Sequence, residues 1–243
     1  MNSNSSSPIQ RIAVSGVFLA VAVVLNTAFS FYIPMFGESG LRLSLANVFA
    51  VIPALLFGPM FGALTAGLLD LISYLLKPTG AFIPIMSIVV AFGGFLRGFI
   101  WKYLQNISTK KMRIILTILT VILLGLGAYQ AFGLQEGFGL IIASGLLGLL
   151  VLVVDLVLEK KVLKKSYDAR FLQLLITLLI SGLIVTTLNT VVLRETILVA
   201  WKSLPFVVVW VPRLFEEILN NIVVAWLVSM LLNILYKQKW LLG

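Results

Sequence analysis

The chain has 243 residues, 60% of them hydrophobic and only 11% charged, and a formal charge of +9. A soluble domain carries about 25% charged residues, so this composition excludes a soluble enzyme and points to a single membrane domain, residues 1–243. Neither cysteine nor histidine occurs, which excludes disulfides, thiolate metal sites, zinc hydrolases and histidine relays, and no metal or cofactor is expected.

A membrane-crossing helix needs about 20 apolar residues. Candidates lie near 11–31, 45–57, 60–76, 83–103, 113–129, 139–158, 170–193 and 206–236. The polar start MNSNSSSP leads into the first, which runs past the length of a signal-peptide core and reads as a retained helix. Its Ala13, Gly16 and Ala20 form a strip of small residues that lets another helix approach closely. The second and third candidates are short and separated only by Gly58-Pro59, as in a tight hairpin with tilted or partly re-entrant halves. Asp70 sits in the third, among Gly62, Ala66 and Gly67, which permit close packing. Residues 104–169 differ from their surroundings: they are Leu/Ile/Gly-rich, with Asp155 near a cytoplasmic end, and read as an inserted transmembrane hairpin. The last candidate exceeds one crossing, and Pro212 is expected to divide an outer irregular piece from the span proper.

Threading eight spans with both termini in the cytoplasm puts 12 of the 18 cations inside: Arg11, Lys102, Lys110, Lys111, Arg113, Lys160, Lys161, Lys164, Lys165, Arg170, Lys237 and Lys239. That asymmetry is the positive-inside rule. The net charge is therefore topology, and no nucleic-acid partner is expected. Residues 32–44, 77–82 and 194–206 become outer loops, holding Tyr32, Glu38, Arg42, Lys77, Thr79, Phe82, Arg194, Glu195, Trp201 and Lys202. Rings and cations above internal polar groups suit a small polar ligand with an aromatic moiety. Membrane-interface belts are the alternative for Trp201 and Trp210.

An ionised side chain in hydrocarbon costs at least ~3 kcal/mol, so Asp70 and Arg213 face a bundle interior. Asp70 can accept a paired hydrogen bond from an amidine-like ligand edge; an ion pair with Arg97 or Arg213 is its other reading. Arg213, Glu216, Glu217, Asn220 and Asn221 share much of one helical face, where Arg213 binds a ligand carboxylate or is neutralised by a glutamate. Asn47 and Asn189, near the outer ends of their spans, complete a polar ring. No nucleotide-binding loop, paired catalytic acids or nucleophile with a base is visible. The residues alone leave open a solute-binding transport subunit, an ion-coupled secondary transporter using Asp70 or Glu217, or a non-transport membrane assembly factor.

The run R-L-S-L-A-N-V-F-A-V-I-P-A-L-L-F-G-P-M-F-G-A-L, then L-L-D-L-I-S-Y-L-L-K-P-T-G-A-F-I-P and F-L-R-G, resembles the substrate-binding S components of energy-coupling factor (ECF) vitamin transporters. The likeness is greatest to the folate-specific type. L-N-T-V-V-L and L-P-F-V-V-V-W-V-P-R-L-F-E-E resemble the family's closing helices. The resemblance covers roughly 10–103 and 170–236 and skips 104–169. It implies an all-α, six-helix S-component-like bundle from 1–103 and 170–243, with 104–169 as an added two-helix hairpin. It also implies a membrane-embedded, high-affinity vitamin-binding subunit of an ABC importer in a bacterial cytoplasmic membrane, with no catalysis of its own. Such a subunit captures its vitamin outside, docks on a T component driven by two cytoplasmic ATPases, and topples to release the vitamin inside. By position, Ala13, Gly16 and Ala20 take the docking role. The implied solute is folate or another pterin-like vitamin, with Tyr32, Arg42, Asn47, Asp70, Lys77, Thr79, Phe82, Asn189, Trp201 and Arg213 around it.

Overall fold

A computed structural model describes residues 7–35, 38–78, 81–133, 165–196 and 199–235, with a few helical positions between 142 and 153. At 31–35, 38–43, 126–133, 165–169 and 199–200 the description is of the backbone. The helices are α1 (Pro8–Ala28), α2 (Ala46–Ala50), α3 (Ile52–Phe57), α4 (Pro59–Leu76), α5 (Pro84–Leu104), α6 (Thr109–Gly133), α7 (Lys165–Thr196) and α8 (Phe206–Leu235). A short 3-10 turn, Val199–Ser203, links α7 to α8. Among the described residues five helices are long and apolar enough to cross a membrane: Pro8–Ala28, Pro59–Leu76, Pro84–Leu104, Arg170–Thr196 and Phe206–Leu235. The chain is a nearly all-helical, multi-pass membrane protein. The expected span at 139–158 is described only at a few helical positions, and Asp155 and Thr79 lie outside the described residues.

Three local expectations are corrected. The expected loop at 32–44 is an antiparallel hairpin, β1 (Ser30–Met35) and β2 (Glu38–Ser44), with a register shift between Ile33 and Pro34. Proline has no N–H to give a ladder, so the irregularity falls beside it. The expected span at 45–57 is two short helices, α2 and α3. Pro53 cannot donate to the carbonyl of Phe49, and the apolar stretch Ala46–Phe57 is about 18 Å long at 1.5 Å per residue, short of the ~30 Å hydrocarbon core. Pro212, expected to separate two pieces, lies inside a continuous α8. It removes one hydrogen bond, at about 3 kcal/mol, but burial of Val209, Val211 and Leu214 carries the helix across it.

The chain forms two compact units, one of residues 1–102 and 223–243, the other of residues 103–222. In the first, Ser7 caps α1, its hydroxyl accepting from the N–H of Gln10 at 3.2 Å. One side of α1 meets α2 and α4 through Ala22, Ala46, Ala50 and Leu69, flanked by Leu19, Val23, Leu25 and Phe49. Gly58, at φ 96°, turns the chain from α3 into α4, a conformation that favours glycine. Antiparallel α4 and α5 then touch backbone to backbone. A Cβ on Gly98 would lie 2.7 Å from Pro59, one on Gly62 would strike the Gly94 carbonyl, and one on Gly67 would lie 3.2 Å from the Ala91 methyl. Stepping along α4 from Pro59 to Gly67, the partner on α5 recedes from Gly98 to Ala91. The next rung joins Asp70 to Ser87.

In the second unit α7 packs against α6, and Leu116, Leu172, Leu174, Leu175, Ile176 and Leu178 are fully buried. Its buried hydroxyls bond back to their own helix: Thr177 to the Gln173 carbonyl at 2.8 Å, Ser181 to Thr177 at 2.8 Å, and Thr190 to Thr186 at 2.6 Å. These three groups are satisfied within their own helix.

Candidate functional site

The glycine ladder brings the start of α5 against the end of α4, and this places the first group of polar side chains. Asp70, half-buried, accepts a 2.6 Å hydrogen bond from the Ser87 hydroxyl. A hydroxyl-to-carboxylate bond of that length is charge-assisted. Among the described residues Asp70 is held this way and not by an ion pair with Arg97. One turn on, the Tyr74 ring meets the Phe82 ring at 4.9 Å, tilted by 42°. Asp70 and Phe82, both expected in the site, therefore converge at the α4–α5 connection, with Tyr74 and Ser87 as partners. Lys77 is exposed at the end of α4. Asn47 is half-buried on α2, which packs on α1. Tyr32 and Arg42 are register partners across the hairpin.

Asn26 of α1 donates to the Ser73 hydroxyl of α4 at 2.7 Å, and both are buried. Ser73 stands one turn from Asp70 on the same helix. Neither Asn26, Ser73, Ser87 nor Tyr74 was expected in the site. Asn26 had a signal, as the single asparagine in a 21-residue apolar helix; Ser73 and Ser87 are common enough in such helices to carry none.

The second unit holds the other group. Arg213 donates through Nε to the Thr190 hydroxyl at 3.1 Å, and its guanidinium lies over the Trp201 ring, 5.9 Å from the centroid. One turn before Arg213, the Trp210 indole donates to Thr187 at 3.0 Å and stacks with Phe206 at 6.2 Å. These two bonds stitch α8 to α7 on either side of Pro212. Lower down, Asn221 donates to Glu217 at 2.9 Å and to the Leu178 carbonyl at 3.3 Å, in room left by Gly182. Trp201 is fully buried, and among the described residues its indole N–H has no hydrogen-bond partner; the same holds for Oδ1 of half-buried Asn189. A cavity of about 20 Å³ between α6, α7 and α8, lined by Leu116, Leu123, Leu175 and Ile218, is apolar and water-sized, too small for a vitamin.

The family model for the substrate-specific component of ECF transporters matches residues 10–232. The chain belongs to that family. This substrate-specific component is also similar to a solved S component of a bacterial ECF transporter, with 18% identity, 96% of each chain covered and a TM-score of 0.41. No curated protein matches it significantly. Members of the family are the substrate-binding subunits of their transporters.

Ala13, Gly16 and Ala20 of this S component are exposed on α1, and a Cβ built on Gly16 meets nothing within 4 Å. Among the described residues the strip is not covered. It lies on a different side of α1 from Ala22 and Asn26, which are buried against the unit.

Proposed function

We propose that this S component captures folate or a related pterin-like vitamin, as the binding subunit of an ECF-type ABC importer in a bacterial cytoplasmic membrane. The observation that carries the ligand class is the Asp70 carboxylate. Among the described residues it is held by one hydroxyl donor, Ser87, beside the Tyr74–Phe82 ring pair. A carboxylate has about four acceptor positions, so a bond from Ser87 leaves capacity for the paired N–H groups of an amidine-like edge. The neighbouring rings suit the flat face of a pterin. Tyr32, Asn47, Thr79, Asn189 and Trp201 complete the binding set, and Arg42, Lys77 and Arg213 receive the ligand's carboxylates.

In this reading the chain is one transmembrane domain. Residues 1–103 and 170–243 supply the capture core, and 104–169 add a hairpin beyond the family's six helices. It performs no catalysis. A T component and two cytoplasmic ATPases drive release, and the exposed strip of Ala13, Gly16 and Ala20 is the face that meets the T component, because small residues permit close helix approach.

Titration of folic acid against intrinsic tryptophan fluorescence, with wild type and Asp70→Asn, tests the ligand. Wild type binds below about 1 μM, equivalent to ~8 kcal/mol, and Asp70→Asn binds far more weakly. Absence of such binding refutes the folate assignment. Mass spectrometry of the solute that co-purifies would then name the class. Recovery of a T component and ATPases on co-purification separates this reading from a self-sufficient transporter.

A further inference from the structure

The connection between α7 and α8 contains an arrangement not explained by helix packing. Arg194, in the last turn of α7, donates through Nε to the carbonyl of Trp201 at 3.2 Å, and through Nη2 to the carbonyls of Lys202 at 3.2 Å and Leu204 at 3.0 Å. One guanidinium thus gathers three backbone acceptors from four consecutive residues. The Trp201 carbonyl also accepts from the Leu204 N–H at 3.2 Å. Beside this clamp, Lys202 pairs with Glu195 at 3.1 Å. That pair is half-exposed and contributes little.

The clamp fixes the backbone of Trp201, and its side chain is the largest fully buried one in the described residues. The indole lies under Arg213, whose Nε is tied to Thr190. Burying an indole N–H without a partner is unfavourable by about 1–3 kcal/mol. Packing alone does not call for the N–H, because the space filled by a large apolar ring needs no donor. A buried donor left without an acceptor suits an oxygen that arrives with the solute.

We infer that Arg194 is a positioning residue for solute capture: it holds residues 201–204 so that the Trp201 N–H and the Arg213 guanidinium are presented together to a carbonyl or carboxylate oxygen of the solute. The inference rests on the capture role proposed above, and it changes the part played by Trp201. The indole acts as a hydrogen-bond donor, with its ring engaged by Arg213. Lysine cannot replace Arg194, because an ammonium lacks the planar fork that serves separate acceptors.

The test uses the full chain in lipid nanodiscs with 15N-labelled tryptophan indoles. The chain has five tryptophans, and Trp201→Phe assigns the signal of Trp201. In wild type the Trp201 N–H resonates upfield, as an unbonded donor does, and exchanges slowly with D2O. Arg194→Lys and Arg194→Gln accelerate its exchange severalfold, while Trp210, bonded to Thr187, is unchanged. Continued protection of Trp201 in both variants overturns the inference, as does equal acceleration of all the indoles, which would mark general loosening.

Folic acid supplies the second arm. Its addition moves the wild-type Trp201 N–H downfield. Arg194→Lys weakens its binding about tenfold, or ~1.4 kcal/mol, and adds nothing further in a Trp201→Phe background. An unmoved indole signal at saturation, or additive losses, overturns the positioning role. A wild-type protein that fails to bind folic acid refutes the folate assignment instead, and indole exchange alone then decides the role of Arg194.

Discussion

Gly94→Ala places one methyl group where the structure has no room. The new Cβ would strike the carbonyl of Gly62 and lie 2.8 Å from the Ala66 methyl. The first obstacle is backbone, so no rotamer change relieves it, and α4 and α5 must separate. Overpacking of this kind costs about 1–3 kcal/mol. Separation also stretches the next rungs of the ladder, including the 2.6 Å bond from Ser87 to Asp70. A hydrogen bond to a charged group contributes about 1.5–3 kcal/mol, so the total reaches roughly 2.5–6 kcal/mol if that bond is lost. The control is Gly16→Ala, whose Cβ meets nothing within 4 Å and which gains up to about 1 kcal/mol of helix propensity. Equilibrium unfolding in mixed micelles, titrated with SDS, measures both variants. Gly94→Ala unfolds at markedly lower SDS, and Gly16→Ala at the wild-type value or above it. A Gly94→Ala protein as stable as wild type refutes the backbone contact, and with it the argument that the glycine ladder sets Asp70 against Ser87.

Further outcomes follow from other contacts. Ser73→Ala orphans the buried amide of Asn26 and destabilises by about 1–3 kcal/mol, while adding Asn26→Leu recovers much of the loss; SDS unfolding of the single and double variants measures the coupling. Lys202→Ala, which removes only a half-exposed ion pair, changes stability by less than about 1 kcal/mol in the same assay. Gly16→Trp abolishes ATP-driven uptake by the reconstituted transporter and leaves solute binding by the isolated subunit intact; loss of both would show that the α1 strip is not a docking face. Thr190→Val removes the acceptor for Arg213 Nε and weakens solute binding severalfold by fluorescence titration, with α8 still helical by circular dichroism.

The long helices were legible because membrane spans announce themselves by length and apolarity, and because Gly62, Ala66 and Gly67 advertise a close contact. The partner of that contact was harder to read. Gly94 and Gly98 look like any helix glycines until the antiparallel register pairs them with Gly62 and Pro59. The hairpin at 30–44 escaped notice because Pro34 and the polar Glu38-Ser39-Gly40 break the alternation by which strands are recognised. Pro212 misled in the other direction, since its local penalty is outweighed by burial on α8 that depends on tertiary neighbours. In the candidate site, charged and aromatic residues stood out, Asp70 and Arg213 among them. Arg194 stood out as a charge but not as a clamp, because its partners are backbone carbonyls, and these leave no mark on the identities of residues 201–204.

The back-bonded hydroxyls of α7 have a consequence for how this protein can change. Thr177, Ser181 and Thr190 each donate to a carbonyl of their own helix, so none of them needs a particular neighbour for its proton. A substitution on the helix opposite leaves those donors satisfied, and the usual penalty for orphaning a buried polar group does not arise there. Their remaining lone pairs can still accept from whatever side chain faces them, as Thr190 does from Arg213. Helix α7 is therefore a permissive template. New residues can be tried against it one at a time, each intermediate remaining folded, which is the property a binding subunit needs if its descendants are to recognise different solutes.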